Sequence, residues 1–467
     1  MALTWRAVVA TALGAVAVVL VPVPGTVLAW AVVVAVLCGL DIALAASPRR
    51  VAVARDVPAS VRLTQPARSV LTLENRDSRR LRAVVRDAWP PSALAPDEQV
   101  EAWRRPRRPR RSSGGGAEVD AVAPGSPATL ARRTPRHRVD LAPGEARRVS
   151  TDLLPTRRGD LEAGAVTVRT VGPLGLAGRQ ATIPVPGRLR VLPEFASRRH
   201  LPSRLARLRE LDGRAAVQVR GAGTEFDSLR EYVIGDDVRS IDWRATARRA
   251  DVVVRTWRPE RDRRVLVVVD TSRTSAVRVL DAPRLEASIE AALLLATLAT
   301  HAGDRVELLA YDRRVRARVA GSTGRRVLPA FADALAGIRP ELVEADWPGI
   351  AAQVRERLTQ RALVVLLTAL DPAAVEQGLL DVAAQLADRH AVVVAAVLDP
   401  EEEELRTTRT TSADVFDAAA AERAGLERLA VAQRLRRRGL DVVEALPDDL
   451  APRLADTYLA LKASGRL

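Results

Sequence analysis

The sequence predicts a chain in three parts: two transmembrane helices, then a β-sandwich, then a larger α/β domain built on a parallel sheet. Three observations carry that reading. Residues 7–40 contain no charged side chain. Short segments between residues 51 and 195 are bounded by Asn, Asp, Pro or Gly, as strand ends are. From Arg264 onward, short apolar runs alternate with amphipathic helix-length segments, the pattern of buried parallel strands joined by crossover helices.

At 467 residues the chain exceeds a single hydrophobic core, which rarely grows past about 250 residues. Cys38 is the only cysteine and lies in an apolar run, which excludes a disulfide framework and a thiolate zinc site. Lys462 is the only lysine, so no phosphate-binding Gly-x-x-x-x-Gly-Lys loop exists. His137, His200, His301 and His390 are scattered, with no His-x-x-x-His zinc spacing. The formal charge of +15 suits an anionic partner. Beside a membrane segment, the anionic bilayer surface is favoured over nucleic acid.

Residues 1–47 read as a transmembrane hairpin. Crossing a bilayer takes about 17 to 25 residues, and Trp5–Val21 and Thr26–Ala46 each qualify around the turn at Pro22, Pro24 and Gly25. A cleaved signal peptide is the competing reading, disfavoured because a second apolar run continues where a mature domain should begin. Arg6 precedes the hairpin and Arg49, Arg50 and Arg55 follow it, which places both ends and the whole body in the cytoplasm. Asp41, late in the second span, is expected to reach the headgroups.

Residues 51–195 read as a β-sandwich, with strands at Ser69–Glu74, Leu81–Arg86, Arg147–Leu154, Ala165–Thr170 and Arg188–Leu192. A basic insert, 102–136, interrupts them. Its arginines repel one another and it has little to bury, so it is expected to be disordered.

Residues 196–260 form a junction. Within it, 223–248 reads as a helix-length piece, a turn at Gly235, Asp236 and Asp237, and a second short helix. Asp236 or Asp237 suits a helix cap, and Asp242 suits a pair with Arg230, Arg239 or Arg244. Trp243 and Trp257 read as packing anchors. The last domain, 261–467, alternates strands at Val265–Val269, Val306–Tyr311, Val315–Val319, Leu363–Thr368, Ala391–Leu398 and Asp441–Ala445 with helices. In such a sheet ligands bind beyond the carboxyl ends of the strands, where Asp270 lies.

The run 223–248, with Arg258–Arg261 and the strand into Asp270–Thr274, closely resembles the bacterial family named domain of unknown function 58. Arg230, Tyr232, Gly235, Asp236, Asp237, Asp242, Trp243 and Arg244 stand in its hallmark motifs and are candidates for partner binding. The segment Gly172–Leu176 and the N-terminal hairpin resemble that family as well. The resemblance implies a Rossmann-like von Willebrand A domain. It also implies association with MoxR-type AAA+ ATPases and with neighbouring membrane proteins of the bacterial inner membrane.

A von Willebrand A domain can hold a divalent cation on Asp-x-Ser-x-Ser, a distant Thr and a later Asp. Hard oxygen ligands suit Mg²⁺, Mn²⁺ or Ca²⁺. Here the candidates are Asp270, Ser272, Thr274, Thr323 and Asp371. Ala369 stands where the similar pattern would place the later Asp, so the site reads as degenerate. The alternative is that Asp270 and Ser272 only tie down their loop.

The expected function is a membrane-anchored, non-enzymatic adaptor for protein partners. Two rivals stay open. One is a metal-dependent hydrolase using Asp236, Asp237 and Asp242 with Asp270. The other is an anionic-surface binder acting through Arg104–Arg111.

Overall fold

The computed structural model describes residues 2–94, 136–218, 225–234, 236–249, 251–258, 263–372 and 378–467. The basic insert, save Arg136, lies outside them, as do Gly235 and Pro259–Arg261. The chain forms two compact units, Met1–Leu192 and Pro193–Leu467.

The first unit opens with three apolar helices, α1 (Trp5–Ala12), α2 (Gly14–Leu20) and α3 (Pro24–Leu44). Pro24 starts α3 where its missing N–H costs nothing. The Trp30 indole donates to the Ala10 carbonyl at 3.0 Å and lies against Gly14, where a Cβ would collide with it. The segment Gly25–Arg50 is long and apolar enough to cross a membrane, and almost none of its most apolar 18-residue stretch is buried. The run Trp5–Leu20 is shorter.

Asp41 corrects its expectation. Its side chain is fully buried and accepts three backbone N–H groups: Leu174 at 2.8 Å, Leu176 at 2.7 Å and Ala177 at 2.8 Å. The turn that supplies them requires Gly175 at φ +74°, and a Cβ at Gly172 would strike Asp41. A carboxylate with three amide donors has no need of water, which is why it turns inward.

Beyond α3, one sheet orders Gln180–Ile183, Val166–Thr170, Leu81–Arg86 and Arg136–Leu141. A second orders Val51–Asp56, Ala67–Asn75 and Ala146–Leu153. Leu71 and Leu73 of the second share one core with Leu81, Val85, Leu141, Val166 and Val168 of the first, so the two pack face to face. A third, smaller sheet orders Ser60–Arg62, Arg188–Leu192 and Gly159–Glu162.

The second unit carries an antiparallel ribbon of Glu225–Glu231 and Val253–Arg258. The first strand falls where a helix was expected. Its partner, rich in Val, Thr and Trp, supplies the pairing that overrides a mixed local preference.

Its main sheet has six strands: β1 (Arg264–Asp270), β2 (Arg305–Tyr311), β3 (Val315–Val319), β4 (Leu363–Leu367), β5 (Ala391–Val397) and β6 (Asp441–Ala445). Their order is 3-2-1-4-5-6, all parallel except β3, an antiparallel edge. Leu266, Val268, Val364, Leu366, Val392 and Val394 pack on one face against α5 (Trp347–Arg357), α6 (Leu379–Ala387) and α7 (Ser412–Arg437). The alternate residues Val265, Val267 and Val269 are buried too. Two further helices, α4 (Arg284–His301) and α8 (Pro447–Ala463), pack on each other and on the sheet. This is a mixed α/β body with both sheet faces covered.

Candidate functional site

The strand order reverses between β1 and β4, so the crevice beyond their carboxyl ends is where an open α/β sheet places a ligand. Asp270 ends β1, and the register that pairs Val269 with Leu367 sets Thr368 beside it. Asp270 is buried at 2% exposure. Its Oδ1 accepts the Ser272 N–H at 2.8 Å, and its Oδ2 accepts the hydroxyls of Thr274 at 2.9 Å and Thr368 at 2.7 Å. The Ser272 and Thr274 hydroxyls lie 3.1 Å apart, and Ser275 donates to the Asp270 carbonyl at 2.7 Å. One buried charge is thus answered by three donors.

A second buried carboxylate stands at the end of β2. Asp312 accepts the Thr271 hydroxyl at 3.2 Å and the N–H groups of Arg313 and Arg314. Neither Thr368 nor Asp312 was singled out from the sequence. The available signal was only that Thr368 ends, and Asp312 follows, a strand expected from the sequence.

Of the five expected cation ligands, Asp270, Ser272 and Thr274 come together. Asp371 instead forms an ion pair with Arg284 at 3.0 Å, and Thr323 is exposed at the start of a short 3-10 turn. The arginine claims the Asp371 charge, while the Thr323 side chain faces solvent. The gathered donors are hard oxygens of the type that Mg²⁺ accepts, but they bring a single carboxylate. Among the described residues, no group of three or more His, Cys, Asp or Glu is placed to hold a metal.

The described part of the hallmark run supplies the first ribbon strand and much of its connection to the second. Arg230 grips Asp236 through both guanidinium nitrogens, at 2.7 and 2.6 Å, and Asp236 also accepts the Val233 N–H at 3.0 Å. The Arg230 bond, then the Val233 bond, hold the Asp236 carboxyl below the usual range. Asp237 caps a 3-10 turn by accepting the Arg239 N–H. Asp242 accepts N–H bonds from Arg244 and Ala245 and pairs with Arg255 at 2.8 Å. The Ala245 bond first, then Arg255, lower its pKa. The Tyr232 N–H donates to the Val252 carbonyl. Asp242 therefore caps a helix as well as pairing, and its arginine is one the sequence had not nominated.

On that frame the apolar side chains face solvent: Val233 is 62% exposed, Ile234 96%, Val238 63% and Trp243 69%. Arg239, Arg244 and Arg248 are exposed among them. Trp243, 69% exposed, is thus a surface residue and not the expected packing anchor.

Residues 228–441 match the family model described as "Protein of unknown function DUF58". Uncharacterized proteins of Mycobacterium bovis and Mycobacterium tuberculosis are 30% identical over 194 residues, 40% of this chain and 59% of each relative. The chain thus covers less than two thirds of those relatives. Two solved structures overlap parts of it: the CARDB domain of the PF1109 protein from Pyrococcus furiosus and the complex of zinc 2-glycoprotein with prolactin-inducible protein from human seminal plasma. The first gives a TM-score of 0.18 at 9% identity, covering 32% of this chain and 92% of that one. The second gives 0.19 at 10%, covering 30% and 92%. Likeness that low carries no argument.

Proposed function

We propose, from the match of residues 228–441 to the DUF58 family model, that the chain is a member of that family and a membrane-anchored, non-enzymatic adaptor. Two N-terminal spans hold a cytoplasmic body in the bacterial inner membrane. Its C-terminal domain is von Willebrand A-like and binds protein partners, foremost a MoxR-type AAA+ ATPase, in assembling or remodelling a membrane complex. Support for the fold comes from the 3-2-1-4-5-6 strand order, which is the Rossmann order, with its antiparallel edge. Support for the orientation comes from Arg6, Arg49, Arg50 and Arg55 flanking the apolar helices. The partner comes from the family resemblance alone.

The observation that carries the reading is the exposed cluster of Val233, Ile234, Val238 and Trp243 on an ion-paired frame. Burying such a side chain is worth about 1.5–3 kcal/mol, and aromatic residues with arginine dominate protein contacts. Asp270, Ser272 and Thr274 would hold one Mg²⁺ (or Mn²⁺ or Ca²⁺), which supplies an open position for a partner's carboxylate when bound.

The test is co-purification of the full chain, in mild detergent, with a co-expressed MoxR-type AAA+ ATPase. The wild-type chain is expected to retain the ATPase, and Ile234→Ser with Trp243→Ala to weaken retention about tenfold or more, which is about 1.4 kcal/mol. A chelator lowers retention if the cation takes part. No association with the ATPase in either its nucleotide-bound or nucleotide-free state refutes the reading.

A further inference from the structure

The loops at one end of the β-sandwich close around both ends of the apolar helices. Before α1, Leu3 pairs with Ala177 along the backbone, and Thr4 donates its N–H to the Leu176 carbonyl and its hydroxyl to the Gly175 carbonyl. At the end of α3, Asp41 takes three amides of the same turn. Arg179 donates to the Ile42 carbonyl and Arg79 to the Ala43 carbonyl. The next residues join the neighbouring loops. The Ser47 N–H donates to Asp77, the Arg76 N–H to the Arg50 carbonyl, and the Asn75 side chain to the Ala142 carbonyl. No free linker separates the apolar helices from this end of the sandwich.

That end is strongly basic. Segments 1–6, 41–50, 74–82, 140–148 and 171–179 hold ten Arg against five Asp or Glu. Two of the five, Asp41 and Asp77, are buried and bound to backbone amides. Glu74 pairs with Arg76 and Asp140 with Arg80, while Glu145 accepts the Ala142 N–H. Arg6, Arg49, Arg79 and Arg179 pair with no carboxylate among the described residues, and the first three are exposed. Capping α3 takes one N–H each from Arg79 and Arg179, of the five that a guanidinium carries. The Arg6 guanidinium lies against Gly175 of the turn that holds Asp41. Three uncompensated guanidiniums thus gather about the last turn of α3.

Apolar side chains mark the same level. Trp5 is 71% exposed beside Arg6, and Leu174, within the turn, is 45% exposed. Tryptophan and arginine at the foot of apolar helices suit the boundary between acyl chains and phosphates.

We propose that this end of the sandwich binds anionic phospholipid headgroups, with Arg6, Arg79 and Arg179 holding a lipid phosphate beside the end of α3 and Arg49 at the margin. Guanidinium forks match phosphate oxygens. A lipid fits better than a soluble acidic protein, because the apolar helices leave from the basic surface itself. The proposal rests on those helices lying in the membrane and not on any protein partner.

The experiment uses the full chain in nonionic detergent micelles doped with equal amounts of phosphatidylglycerol and phosphatidylcholine, and native mass spectrometry counts the lipids retained. Phosphatidylglycerol is expected to be preferred by about tenfold or more, at about fivefold for each arginine near the headgroups. Arg79→Gln with Arg179→Gln is expected to cut that preference by at least about fivefold. So is Arg6→Gln with Arg49→Gln, which removes no helix cap. Arg325→Gln with Arg326→Gln removes the same charge from an exposed turn of the second unit and is expected to leave the preference unchanged. Equal retention of the two lipids, a preference surviving both of the first pairs, or an equal loss in the third overturns the proposal. So does complete displacement of the lipid by free glycerol phosphate, because the occupant is then a soluble anion. After detergent removal, a chain that floats with vesicles of neither lipid removes the anchor and this surface together. One that floats with both and prefers neither removes this surface alone.

Discussion

At the scale of single residues, the chemistry turns on carboxylates whose partners lie far away in sequence. Asp41 meets its amide donors more than a hundred positions later, and Asp270 meets Thr368 at a separation of 98 residues. Each hydrogen bond to a charged group is worth about 1.5–3 kcal/mol. Asp41→Ala is therefore expected to speed amide exchange at Leu174, Leu176 and Ala177 by tenfold or more, read by deuterium uptake of the full chain in detergent. Unchanged uptake would mean that the turn is held by its other contacts, such as Thr4 on the Gly175 carbonyl. The importance of Asp270 was legible because it ends an apolar strand. Thr368 was not, because a hydroxyl after one strand gains meaning only when another strand lies beside it.

At the scale of elements, the apolar strands of the second unit follow the sequence within a few residues, since their apolar runs are strong. The ribbon and the helix Pro400–Thr407 do not. The first depends on a partner strand. The second has no apolar stripe of its own to declare it, and forms on the Asp399 cap and an acidic first turn. The ribbon connection also has a pH signature. Asp236 and Asp242 have folded pKa values below the unfolded 3.8, so the folded connection binds fewer protons than the unfolded chain. Their contribution is complete above that value and is lost as pH falls through the lowered folded values. Amide exchange at Val233, Arg244 and Ala245 is expected to rise selectively below about pH 4, after correction for intrinsic rates. A rise that survives Asp236→Asn and Asp242→Asn together would assign it to other groups.

At the scale of the whole molecule, the anchored reading makes a topological prediction. A fluorescent protein fused after Leu467 is expected to be bright in cells, and alkaline phosphatase at the same place inactive. The reverse pattern would move the body across the membrane and remove a cytoplasmic ATPase as its partner. The sequence by itself determined the apolar segment, the succession of strands and then α/β alternation, the position of Asp270 and the hallmark run. These are local in the chain, where periodicity, turn residues and motif spacing can be read directly. Only the tertiary structure decided that Asp41 turns inward, that Asp371 is claimed by Arg284, and that Trp243 faces outward. Burial and charge pairing join residues distant in sequence, and a linear pattern does not specify which face of an element its neighbours will cover.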